Sequence, residues 1–151
     1  MPHTSHELLI DFPVTVSFPM HWGDQDAFGH ANNTLYFRWA ESARIEYLGR
    51  IGVWSPSAEF TVGPILAAIQ CNFRIPLTYP DTVHAGSRVT RIGNTSFVMV
   101  HRIVSARHNA VAADLESTLV LYDYTMARPV PVPGEIRDAI SQLERGAVDG
   151  R

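Results

Sequence analysis

Apolar and polar residues alternate over Val14-Thr15-Val16-Ser17-Phe18, the two-residue period of a strand with one buried face. Further on the period changes. Tyr36, Ala40, Ala43, Tyr47 and Ile51 fall on one arc of a helix, while Arg38, Ser42, Glu46 and Gly49 fall opposite. The spacing predicts a helix over residues 34–51, capped by Asn32 or Asn33 and stopped by Gly52. The mostly apolar run Pro64 to Leu77 then reads as strand, with Pro76 marking its end or edge. Thr82–Ile92, Ser96–Ala106 and Val111–Tyr124 follow as strands, separated by turns at Gly93-Asn94-Thr95 and His108-Asn109. Each proline of Arg128-Pro129-Val130-Pro131-Val132-Pro133 keeps the residue before it out of the helical region, so this stretch is extended. A short helix from Gly134 to Arg145 closes the pattern, with Ile136, Ile140 and Leu143 on one face.

The order is therefore strand, long helix, then four long strands in consecutive hairpins. No repeat, low-complexity tract or linker interrupts it, so residues 1–151 are expected to form one domain. Its class is α+β, an antiparallel β-sheet wrapped around a long central helix. Strands of this length with few helices leave an apolar edge or face, which implies a homodimer or homotetramer.

Composition narrows the chemistry. The 151 residues carry a formal charge of −3, without the basic stripe that nucleic-acid binding requires. All 12 basic residues are arginine, which excludes a Schiff-base lysine, a P-loop lysine and a pyridoxal-phosphate anchor. Cys71 is the only cysteine, so no internal disulfide forms and no zinc spacing exists; in its apolar run it reads as a core thiol. Residues 1–10 lack the basic and long apolar regions of a signal peptide, and no stretch reaches the ~18–20 apolar residues of a membrane span. The expectation is a cytoplasmic protein with no membrane or nucleic-acid partner.

The chemistry concentrates between the first strand and the long helix. Residues 21–33 hold His21, Asp24, Asp26, His30, Asn32 and Asn33 together with Gly23 and Gly29. One Asn or Asp suffices for a cap, and this loop supplies four. The helix that follows offers unpaired N–H groups and a partial positive charge at its N-terminus. Aimed at a carbonyl, those donors form an oxyanion site, and a carboxylate beside them can act as nucleophile or as base toward water.

Gly23-Asp24-Gln25-Asp26-Ala27-Phe28-Gly29-His30-Ala31-Asn32-Asn33-Thr34-Leu35-Tyr36, with Glu41-Ser42-Ala43-Arg44, resembles the signature of hotdog-fold acyl-CoA thioesterases, most nearly the 4-hydroxybenzoyl-CoA thioesterase family. The segments Phe73 to Val83 and Arg91 to Phe97 are similar to that family's next strand-turn and hairpin, and the likeness runs from about Val14 to Tyr124. It implies a hotdog fold, an acyl-CoA substrate and hydrolysis to free acid and coenzyme A without metal or cofactor. By the same resemblance Asp26 is the catalytic carboxylate, and the backbone near Asn33 is the oxyanion donor. Related plant acyl-carrier-protein thioesterases carry Asp, Asn and His at alternating positions, matched here by Asp26, Phe28 and His30. Phe28 departs from that series, which leaves His30 as a second catalytic group or as an orienter of Asp26 and the loop.

Around this pair, Gly29, Asn32, Asn33 and Ser96 are the candidate substrate contacts; strand-start chemistry accounts equally well for Ser96. Asp24 reads as a structural loop carboxylate and His21 as a loop histidine. Glu41 and Arg44, three apart, meet on one helix flank. Arg44 falls within the apolar arc and requires a partner, either Glu41 or a second subunit, while Glu41 is also a candidate auxiliary catalytic group. His3, His6, His84, His101 and His108 show no ligand spacing and read as surface or sheet residues. Two other functions fit the loop. One is a hotdog-fold enoyl-CoA hydratase or dehydratase using Asp26 and His30; the other is a non-catalytic acyl-CoA-binding domain. The acyl group is not legible, although Tyr36, Trp39, Phe60, Phe73 and Phe97 could line a pocket for it.

Overall fold

The computed structural model describes residues 3–57, 59–146 and 148. A short helix α1 (Ser5–Leu8) precedes β1 (Val14–Pro19), and a single 3-10 turn at Trp22–Asp24 leads to α2 (Asn33–Arg50). Four long strands follow: β2 (Val62–Phe73), β3 (Thr82–Ile92), β4 (Ser96–Ser105) and β5 (Ala110–Asp123). The two-residue β6 (Arg128–Pro129) and α3 (Gly134–Glu144) end the fold.

The strands form one antiparallel sheet in the order β1-β3-β4-β5-β2, with β6 pairing beside β5. This corrects the expectation that the four long strands form consecutive hairpins. Among the four long strands only β3-β4 and β4-β5 are hairpins; β2 pairs with β5, Phe73 opposite Ala113 and Val62 opposite Asp123. Periodicity reveals strands and turns, whereas partner choice depends on where the connection travels. Residues 74–81, with Pro76 and Pro80, form a crossing rather than a tight turn. The pairing leaves β1 and β2 as the two edges.

The helix forms where its arc of small and aromatic residues meets the concave face. Tyr36, Ala40, Ala43, Tyr47 and Ile51 are all buried, and Gly52 adopts φ +82°, a conformation that ends the helix at no steric cost. α2 lies over β1, β3 and β4. Its flanks are fixed by side chains: Arg50 reaches the Pro13 carbonyl beside β1 at 3.5 Å, and Phe37 meets Phe73 of β2 at 6.4 Å between ring centroids. This curled sheet around a long helix is the hotdog architecture.

The core under α2 has two parts. One, under the C-terminal half, gathers Tyr47, Leu48, Phe97, Met99 and Leu119 with Ile140 of α3. The other, under the N-terminal half, gathers Tyr36, Trp39, Ala40, Ala43, Leu77, Ile103 and Leu115. On the convex face the chain before β1 folds back over the sheet. Arg88 and Arg102 both lie over the Phe12 ring, at 5.3 and 5.6 Å.

Candidate active site

The polar loop is built by backbone bonds that use most of its polar groups. The Asp26 N–H donates to the His30 carbonyl at 2.9 Å, and the Gly29 N–H returns to the Asp26 carbonyl at 3.0 Å. Gly29 sits at φ +81°, where a side chain is strained, so glycine allows the turn to close. The loop is anchored from outside: the Ala31 N–H donates to the Leu77 carbonyl at 2.8 Å, and the Tyr79 N–H donates to the Gln25 side-chain oxygen at 3.1 Å. Gln25 escaped the sequence reading, and nothing in its local pattern marks it, because its partner arrives from a distant connection.

Within that frame each candidate takes a distinct place. Asp26 accepts the Phe28 N–H at 2.8 Å through Oδ1, while Oδ2 has no partner among the described residues. Asp24 accepts the His21 N–H through Oδ2 and, through its carbonyl, the Asn32 N–H at 2.9 Å. Asn32 is the helix N-cap: its side-chain oxygen accepts the Thr34 N–H at 2.9 Å and the Thr34 hydroxyl at 2.8 Å. That geometry makes Asn32 a capping residue, with its side chain committed. Asn33 is the first helical residue, and its N–H has no acceptor among the described residues. A free carboxylate oxygen and a free helix-terminal N–H thus stand on one short loop. The helix macrodipole reinforces the donor.

Beside them lies a pocket of about 270 Å³ lined by His30, Asn33, Tyr36, Phe73, Ile75 and Pro76, with Ala31 and Arg74. Its wall is the aromatic contact of Tyr36 with Phe73, 5.1 Å between centroids. Burial, together with the nearby Cys71 and Asp81, raises the Tyr36 phenol to about 12, so it stays protonated near neutrality. Cys71, half-buried on β2, is pushed up to about 11 by burial and by Asp114, which makes it a poor nucleophile. Among the described residues no three His, Cys, Asp or Glu side chains come close enough to hold a metal ion.

Two candidates stand apart from this group. Ser96 opens β4 next to Phe97 of the other half of the core, at the far end of the sheet from the loop. Glu41 is exposed on the α2 flank, 3.9 Å from the buried Arg44. Near Arg44 lies a feature that no spacing rule signalled. His101 lies between two hydroxyls, with Nδ1 2.6 Å from Ser87 Oγ and Nε2 2.8 Å from Ser117 Oγ. This row crosses β3, β4 and β5, and burial with the nearby Arg44 charge lowers the imidazole to about 3. Burial also lowers the Arg44 pKa, which the Glu41 carboxylate opposes.

Comparison with known proteins identifies the family. The model of the thioesterase-like superfamily matches residues 20–140. The long-chain acyl-CoA thioesterase FadM of Escherichia coli is 23% identical over 118 residues, covering 78% of this chain and 89% of that protein. Among solved structures, a protein of Pseudomonas aeruginosa described as a thioesterase is 32% identical with a TM-score of 0.76, over 85% of this chain and 98% of that one. A Thermus thermophilus thioesterase solved with coenzyme A and Zn is 31% identical with a TM-score of 0.78, over 89% of this chain and 96% of that one. No described helix is long and apolar enough to cross a membrane. With the superfamily match spanning the loop, α2 and all the long strands, this chain belongs to the thioesterase-like superfamily.

Proposed function

We propose that this chain hydrolyses an acyl-CoA thioester to the free acid and coenzyme A, with Asp26 as the reacting carboxylate. One observation carries the reading: the unpartnered Asp26 Oδ2 and the unpartnered Asn33 N–H share one loop beside an aromatic-walled pocket. A thioester carbonyl seated there directs its oxygen at the Asn33 N–H, where charge develops as the tetrahedral intermediate forms. Asp26 then attacks the carbonyl carbon and the thiolate of coenzyme A departs, leaving an acyl-aspartyl anhydride that water cleaves to the free acid; or Asp26 takes a proton from a water that attacks the carbonyl carbon directly, with the same departure of the thiolate. His30 lines the same pocket and orients the substrate or Asp26. The motif likeness to 4-hydroxybenzoyl-CoA thioesterases supports Asp26, and the coenzyme A bound by the Thermus relative supports the substrate class.

The working unit is a homodimer. Asp26 and His30 are exposed in one protomer, and a carboxylate in bulk water reacts weakly compared with one in a closed site. β2 is a 12-residue edge strand, with Ile65, Leu66 and Phe73 exposed by 38%, 41% and 50%. Such an edge is a template for pairing. Antiparallel pairing of two β2 strands sets Phe73 of one protomer opposite the Val62 end of its partner. The partner's β4 start comes with it, so Ser96 can reach the site only from the second copy.

The test is thiol release from acyl-CoAs of short, long and aromatic type, comparing wild type with Asp26→Asn. Release that falls at least a hundredfold in the variant supports the assignment. Equal release from both removes Asp26 from the chemistry. Loss of enoyl absorbance without free thiol shows a hydratase instead.

A further inference from the structure

The connection from β2 to β3 runs along the polar loop and is tied to it twice. The Leu77 carbonyl accepts the Ala31 N–H, and the Tyr79 N–H donates to Gln25. A cavity opens at each end of this connection. The first, at Ile75 and Pro76, is the pocket that holds His30 and Asn33. The second, of about 550 Å³, lies beside Pro19 at the end of β1, where Tyr79 and Asp81 meet Arg107.

The second cavity sets a cation beside an aromatic surface. Arg107, exposed in the turn after β4, forms no ion pair among the described residues. Its Nη1 meets only the Thr78 hydroxyl and the Pro80 carbonyl, each at 3.5 Å, the long limit of a hydrogen bond. The one carboxylate of the cavity is already committed. Asp81 Oδ1 accepts the Thr82 N–H at 2.7 Å and the Arg107 N–H at 3.0 Å, and Oδ2 accepts the Ser105 hydroxyl. Asp81 therefore holds the backbone of Arg107 and leaves the guanidinium to solvent. Tyr79 is 43% exposed, and Trp22, 74% exposed, stands edge-on to it with ring centroids 6.0 Å apart.

A guanidinium forks onto phosphate oxygens, and an exposed aromatic ring stacks on a nucleotide base. We propose that this second cavity receives the nucleotide end of coenzyme A, with Arg107 on phosphate and Tyr79, braced by Trp22, against the adenine. The inference rests on the thioesterase reading above. Length agrees with it. Ile75 and Pro80, at the inner edges of the two cavities, are five residues apart, at most about 18 Å of chain. In coenzyme A about thirteen bonds separate the sulfur from the nearest phosphorus, roughly 15 Å if every three span what one extended residue does. A thioester at Asn33 can thus lay its pantetheine arm along the connection and bring its phosphates to Arg107.

The test compares thiol release from an acyl-CoA with release from the same acyl group on pantetheine, which lacks the nucleotide. The acyl group is the one that wild type releases fastest from coenzyme A. Wild type should prefer the coenzyme A ester in kcat/KM, and in Arg107→Gln and Arg107→Glu that preference should fall at least tenfold. Adenosine 3′,5′-bisphosphate should compete with acyl-CoA, and Tyr79→Leu should weaken that competition at least fivefold. A preference unchanged in both Arg107 variants overturns the proposal, because a residue that merely supports the connection would slow both substrates alike. Competition by the bisphosphate that is equally strong in wild type, Arg107→Glu and Tyr79→Leu also overturns it and places the nucleotide elsewhere. Absence of thiol release from every acyl-CoA instead overturns the thioesterase reading.

Discussion

The Tyr47 hydroxyl donates to Glu144 Oε1 at 2.7 Å, and the Val89 N–H donates to the same oxygen at 2.8 Å. One carboxylate thereby joins the central helix, the bulged strand β3 and the end of α3. The bulge between Val89 and Arg91 diverts the Val89 N–H from the ladder, and Glu144 satisfies it. Glu144→Ala strands a buried phenol and a backbone donor together, and should cost about 2–4 kcal/mol. Chemical denaturation measures it; a loss below about 0.5 kcal/mol would show that α3 is docked by its apolar face alone. Burial and Glu144 both raise the Tyr47 pKa. Its folded-state value lies above the unfolded 10.0, so stability present below pH 10 is lost as pH rises beyond it.

Acid should act through His101. Its imidazole is lowered to about 3 in the fold against 6.5 unfolded, so the unfolded chain takes up a proton that the folded chain refuses. The resulting stability is complete above pH 6.5 and declines as pH falls toward 3. Across the two pH units below 6.5 the share from this one residue is about 2 kcal/mol. His101→Gln keeps a hydrogen-bonding side chain without that protonation. It should therefore lose distinctly less stability than wild type over this range in parallel denaturant titrations; matching losses would assign the acid sensitivity elsewhere.

Gly86 is where the segment before β1 meets the convex face. A Cβ there would lie 2.8 Å from Phe12 Cγ and 2.9 Å from Leu9 Cδ2. Gly86→Ala should destabilise by about 1–3 kcal/mol through overpacking. Phe12→Ala in the same chain opens space, so the double variant should be less destabilised than the two single effects added together. Strict additivity in thermal melts would mean that the segment does not press on Gly86.

Leu66 is 41% exposed on the β2 edge. Leu66→Arg places a charge on the edge proposed to pair with a second copy. Sedimentation equilibrium should show a monomer, and thiol release should fall with dimer content. A Leu66→Arg protein that remains dimeric with full activity would move the interface away from β2.

The buried arc from Tyr36 to Ile51, the alternation in β1 and the turns at Gly93 and Asn109 were legible because each depends on neighbours within a few residues. The crowding of Asp24, Asp26, His30, Asn32 and Asn33 was legible for the same reason, and it located the candidate site. Local pattern alone left open which of two adjacent asparagines caps α2. The Thr34 N–H settles that for Asn32 and leaves the Asn33 N–H free. The pairing of β2 with β5, the Gln25 anchor on Tyr79 and the Ser87–His101–Ser117 row were not legible. Each joins residues distant in the chain, and their meeting depends on how the sheet closes. The absence of lysine excludes several chemistries and leaves every basic side chain other than histidine to arginine. Tertiary structure decided that Arg44, an arginine on the apolar arc, is buried near the His101 imidazole. The physical reason is range: period and turn chemistry act over a few residues, whereas burial and partner choice are fixed only when remote segments pack.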